Sequence, residues 1–168
     1  MLSKPDSGWT YFQLGRESYR LSYLTDVALE WLTQAIHGLE TMDVFSVHGF
    51  SEPGRMICTV SYWSCYIIFE DDGPAPICEG VDHIHVNMID FCKKLYQDID
   101  SNFDSWVHWD DDELESAVED APDDGGVGGE DKLEQAIRER QSKLRDKLCE
   151  LKNRIEENEE YFDGGCFF

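Results

Sequence analysis

The sequence predicts an α+β fold: a mainly antiparallel sheet packed by two helices, followed by an acidic flexible linker and a long C-terminal helix. Three observations predict it. Most of the β-rich runs of the first 70 residues are joined by short turns, which favours antiparallel pairing. Residues 27–40 and 89–106 carry apolar side chains at helical spacing. Beyond them a glycine-containing acidic tract gives way to residues 130–161, which hold neither glycine nor proline.

The elements follow in order. Residues 9–14 are rich in aromatics and stop at Gly15, and residues 18–24 alternate Tyr19, Leu21 and Tyr23 with polar side chains. Both read as strands, joined as a hairpin near Gly15 and Arg16. Thr25 or Asp26 can cap a helix over residues 27–40, where Trp31, Ala35 and Leu39 form one stripe beside Leu32 and Ile36. Residues 44–50 form a short strand, and Glu52, Pro53 and Gly54 signal a turn. Residues 55–62 then alternate, with Met56, Cys58, Val60 and Tyr62 on one side. Residues 65–69 make a further strand, ended by an acidic, proline-containing stretch, and residues 83–88 add another. Ile89, Leu95, Ile99, Phe103 and Trp106 define the second helix. Two helices on one face leave the other face of the sheet open. Tyr11, Tyr19, Tyr23, Tyr62 and Tyr66 are candidates for it, read as ordinary strand composition in preference to a recognition surface.

In residues 130–161 a heptad seam runs through Ile137, Leu144, Leu148, Leu151 and Ile155, flanked by favourable i,i+4 ion pairs such as Glu134 with Arg138. Docking on its own body, pairing with a second copy and binding another protein all compete for it. The expected organisation is therefore a body over residues 1–109, an acidic linker over 110–131, and the amphipathic helix with a short tail over 132–168.

Charge constrains function. The chain of 168 residues has 36 acidic and 14 basic side chains, a net charge of −22, with 41% hydrophobic residues to build a core. Residues 110–131 hold 11 acids and no base, so about half the excess sits in one short stretch. Phosphate affinity rests on Lys and Arg, so nucleic acid is excluded as a partner, and the same sign opposes an anionic membrane surface. A basic protein partner is favoured. Residues 1–8 lack the basic start and apolar run of a signal peptide, and no apolar stretch reaches membrane-spanning length. A cytoplasmic location is expected, with the six cysteines, Cys58, Cys65, Cys78, Cys92, Cys149 and Cys166, reduced.

No nucleophile-elbow, Walker A or dinucleotide-binding pattern occurs, so the chain reads as non-enzymatic. His83 and His85 form an H-x-H pair that a strand would aim to one face, but no third ligand is placed by spacing, and they read as polar strand residues. No metal and no cofactor is expected. Pairing Cys58 or Cys65 with His83 as a catalytic couple has no support in spacing. The candidate partner-binding tract combines carboxylates with aromatics: Asp98, Asp100, Phe103, Asp104, Trp106, Trp109, Asp110, Asp111, Asp112 and Glu113. Exposed aromatics beside negative charge suit a basic groove, and electrostatic steering speeds such an encounter; the competing reading, given slightly more weight, is a solvated helix end running into a disordered acidic tail.

Over about residues 1–109 the chain resembles the small acidic immunity proteins of bacterial polymorphic-toxin systems, in residues 8–15, 22–27, 65–69 and 98–109, together with size, acidity and α+β layout. The resemblance implies a non-enzymatic inhibitor that binds and masks a basic toxin or nuclease. The long C-terminal helix is not part of that pattern and supports an alternative, an assembly or adaptor protein that self-associates through its coiled-coil-like seam.

Overall fold

The computed structural model describes residues 1–71, 81–109 and 129–163. It is α+β, as the patterning predicts. Strands β1 (Trp9–Phe12) and β2 (Tyr19–Ser22) form an antiparallel hairpin with Trp9 opposite Ser22 and Phe12 opposite Tyr19. Strands β3 (Phe45–Phe50), β4 (Arg55–Val60), β5 (Cys65–Glu70) and β6 (Asp82–Ile84) form a separate four-stranded antiparallel sheet in sequence order. The helices are α1 (Val27–Thr41), α2 (Met88–Ser101), the short α3 (Phe103–Val107) and α4 (Gly129–Asp163).

Local chemistry sets most boundaries. Asp26 caps α1, its Oδ1 accepting the Leu29 amide at 3.1 Å. Asn87 caps α2 by accepting from the Asp90 amide at 2.8 Å, so helix begins where residues 83–88 had been expected to continue as strand. The single helix expected over residues 89–106 is broken at Asn102, whose Nδ2 donates to the Asp98 carbonyl at 3.0 Å while its own amide turns back to close α2. That break starts α3. Gly54 closes the β3–β4 turn with φ +91°, and a Cβ there would stand 2.6 Å from the Glu70 carbonyl oxygen.

Pleating divides the sheet. Phe45, Val47, Met56, Cys58, Val60, Cys65 and Ile67 point inward and are buried. Helix α1 lies against β3 so closely that a Cβ on Gly38 would overlap the Phe45 ring. Trp31 completes this contact, with its indole N–H donating to the His48 carbonyl at 2.8 Å and its ring edge-on to Phe12. The opposite face is open to solvent and carries Ser46, His48, Tyr66 and His83.

Helix α4 does not stand apart from this body. It packs along α1 and α2 and reaches α3. Leu144, Leu148, Leu151, Ile155 and Phe162 are buried, and Ile137 is half-buried against the same core. Each buried Leu or Ile contributes about 2 kcal/mol, so the seam docks on its own chain rather than staying in water. Of the three coverings open to the seam, docking on its own body is the one found among the described residues. The helix also starts at Gly129, within the stretch expected to be linker, and the remainder of that stretch, residues 110–128, lies outside the described residues. Among the described residues no helix is long and apolar enough to cross a membrane.

One buried ion pair fixes how α4 sits. Arg140, 9% exposed, forms a two-pronged salt bridge with Asp26, with Nη2 donating to Oδ1 at 3.1 Å and Nη1 pairing with Oδ2. Its Nε donates to the Trp106 carbonyl at 3.2 Å. Arg140→Met should lower stability by about 3 kcal/mol in urea unfolding, because the Asp26 carboxylate is then left unpaired where it is partly shielded from water. A loss under about 1 kcal/mol would show that the apolar seam alone holds the helix.

Candidate functional site

The residues proposed from sequence as a single acidic and aromatic surface take different places. Asp98 is structural: its Oδ2 lies 3.0 Å from the Met1 α-amino group and accepts the Leu2 amide at 2.7 Å, clamping the chain start to α2. Trp106 and Trp109 are 0% and 1% exposed, with ring centroids 5.1 Å apart. They are core, not exposed anchors, because α3 turns this segment inward, where Arg140 of α4 reaches the Trp106 carbonyl. Asp110, Asp111, Asp112 and Glu113 lie outside the described residues. Asp100 and Asp104 are exposed and Phe103 half-buried.

Asp100 and Phe103 do come together. They line an open groove of about 410 Å³ between the α2–α3 corner and α4, with Tyr96, Arg145, Leu148, Cys149 and Lys152. The Arg145 guanidinium sits 5.3 Å from the Phe103 ring centre, a cation–π distance. Two cations, one carboxylate and two aromatic rings give the groove mixed character.

A second constellation had no sequence signal. At the β4–β5 turn, Tyr62 and Trp63 meet Tyr161 and Phe162 from the end of α4. Tyr62 lies 5.8 Å from Trp63, 5.8 Å from Tyr161 and 5.5 Å from Phe162, centre to centre. Phe162 is buried, whereas Trp63 and Tyr161 are 56% and 45% exposed. Tyr62 belongs to the alternating run after β4 and Phe162 to the end of α4, about a hundred residues apart, so only docking of α4 could join them. Of the five tyrosines considered for the open sheet face, Tyr66 is the one on β5's outer side. Tyr19 instead stacks on Phe69 at 5.9 Å, Tyr62 joins this corner, and Tyr11 belongs to the hairpin.

The cysteine and histidine chemistry separates by face. Cys65 points into the core, while His83, on the neighbouring strand, points to solvent and stacks on Tyr66 at 4.9 Å. A catalytic Cys–His couple is therefore not assembled. His85 lies 4.6 Å from His83, ring to ring, and no group of three or more metal-ligating side chains occurs among the described residues. Hydrogen bonding to Cys65, together with burial, pushes the Cys58 thiol well up, and burial pushes Cys92 up too. Both resist forming the thiolate that nucleophilic chemistry needs.

The electrostatic balance is carried by internal pairing. Arg55 holds Glu70, Lys93 holds Glu159, Arg138 holds Glu134, Arg140 holds Asp26, Lys147 holds Glu150, and Arg154 bridges Glu40 and Glu157. No family model matches the chain, and no match appears among curated proteins or solved structures.

Thiol labelling followed by peptide mapping at pH 8 should modify exposed Cys149 quickly and leave Cys58, Cys65 and Cys92 protected. Rapid labelling of Cys58 or Cys92 in the folded protein would contradict the burial described. The raised thiols also link stability to pH. The folded state holds these protons more tightly than the unfolded chain, so stability contributed below the unfolded thiol value of about 8.5 should fall as pH rises above it.

Proposed function

We propose that this chain is a non-enzymatic, acidic protein-binding module that masks a basic protein partner, in the manner of an immunity-type inhibitor acting in a reducing, cytoplasmic setting. One observation carries this reading. Within the described residues at least six of the fourteen lysines and arginines already hold a carboxylate of the same chain, while the chain as a whole carries 36 acids against 14 bases. An anionic surface of this size attracts a cationic protein over distances set by ionic strength, and its natural effect is on association rate. The buried, high-pKa thiols and the separation of Cys65 from His83 support a binding role over catalysis. The adaptor alternative needs an available seam, and Leu144, Leu148, Leu151 and Ile155 are already covered by the body.

Affinity capture from the native cells at low and high salt tests the proposal. Basic proteins should be retained at about 50 mM salt and released well below 1 M, where the Debye length falls to about 3 Å. Neutral or acidic partners held regardless of salt would sink it. With a captured partner, neutralising Asp110, Asp111, Asp112 and Glu113 to their amides moves net charge from −22 to −18 and should slow association at low salt, with little effect at high salt.

A further inference from the structure

We propose that the aromatic corner of Tyr62, Trp63, Tyr161 and Phe162 is the surface that receives lysine or arginine side chains of a basic protein partner; this rests on the reading of the chain as a module for basic partners and gives that reading a contact site. Three features converge there. Trp63 and Tyr161 are among the most exposed large aromatics of the described residues and lie against the same Tyr62 ring, so they form one patch rather than scattered rings. Rigid Tyr and Trp side chains are the usual anchors of interfaces.

The setting of the patch is anionic. It caps the C-terminal end of the 35-residue α4, the negative end of the helix dipole, and the last turn holds no basic residue. Glu157 lies one turn before Tyr161 and Glu160 adjoins it, and both are exposed. Glu157 is neutralised by Arg154 at 3.0 Å, whereas no ion pair among the described residues takes Glu160. The Met88 amide donates to the Tyr62 carbonyl at 3.3 Å, which brings to the same corner the first turn of α2, whose positive dipole end is offset by exposed Asp90.

An aromatic face attracts a cation placed within about 6 Å of its centre, and a nearby carboxylate adds to that attraction. The chain already uses this contact internally: the Arg20 guanidinium lies 3.7 Å over the Trp9 ring. A partner's arginine or lysine laid across Trp63 and Tyr161 meets π faces beneath and carboxylates at the rim. A second copy of this chain is disfavoured as occupant, because it would bring two chains of charge −22 together at their glutamate-rich helix ends.

Fluorescence anisotropy of a labelled octa-arginine peptide, with the full chain at several salt concentrations, tests the site. Trp63→Leu with Tyr161→Leu removes the π faces and keeps every charge. It should weaken binding roughly fivefold to twentyfold with an unchanged salt slope. Trp63→Phe with Tyr161→Phe should stay within about twofold of the parent, which separates loss of π faces from loss of folding. Asp90→Asn with Glu160→Gln should weaken binding and flatten the salt slope. Tyr66→Leu, an exposed aromatic on the open sheet face, should leave affinity unchanged. If the leucine pair binds as the parent does while binding stays salt-dependent, the corner is not the site although the acidic-module reading stands. If the parent chain fails to bind octa-arginine even at about 50 mM salt, the underlying reading fails with it. A dimer in sedimentation that the leucine pair dissolves would assign the patch to a second copy and overturn the proposal.

Discussion

The Asp26–Arg140 pair is the constraint on which the arrangement of this molecule turns. Asp26 does two jobs at once, capping α1 through Leu29 and accepting the guanidinium of a residue 114 positions later. Arg140 in turn satisfies the Trp106 carbonyl at the end of α3. Three elements far apart in sequence therefore meet at one planar cation, whose fork geometry sets both position and rotation of α4. Once Arg140 is placed, the side chains about one, two and three turns on, Leu144, Leu148 and Leu151, face the body in register. Asn158 then reaches the Leu39 carbonyl at 3.3 Å, and Arg154 reaches Glu40 at 2.9 Å. The aromatic corner at the far end of the helix is a consequence of that registration.

A second constraint is the pleat of the four-stranded sheet. Cys58 and Cys65 share its inner face with Val60 and Ile67, under α1 and α2, and so become packing atoms. His48, Tyr66 and His83 share the outer face, where nothing among the described residues covers them. The groups with the most reactive chemistry are thereby kept apart, thiols inside and imidazoles outside. This separation follows from alternation along the strands rather than from any special loop.

What reaches the surface is charge and a few aromatic rings. Internal ion pairs occupy many of the cations, and several of them, such as Lys93 with Glu159 and Arg154 with Glu40, join α4 to the body. Partly exposed pairs of this kind contribute little to stability individually. Their effect on function is larger, since each removes a positive charge from a surface that already has few. The docked α4 adds to that surface an anionic, aromatic end.

The residues alone determined the element types and their order. Period-two alternation in residues 55–60, the Asp26 cap and the apolar stripe through Trp31, Ala35 and Leu39 are local signals, and local sterics and hydrogen bonding suffice to decode them. The same holds for the seam of α4, visible as Leu144, Leu148, Leu151 and Ile155. The break at Asn102 was less legible, because apolar spacing continues through it and only the turn of backbone hydrogen bonds ends α2. What covers the seam was decided by tertiary structure, since a heptad stripe specifies a need for burial but not the surface that meets it. The same reason explains the misplaced aromatics. Trp106 and Trp109, set among aspartates, looked like exposed anchors, yet they are buried where α3 turns inward and Arg140 of α4 meets the Trp106 carbonyl. Trp63 and Tyr161 carried no signal, because their proximity exists only after a contact between residues nearly a hundred positions apart has formed.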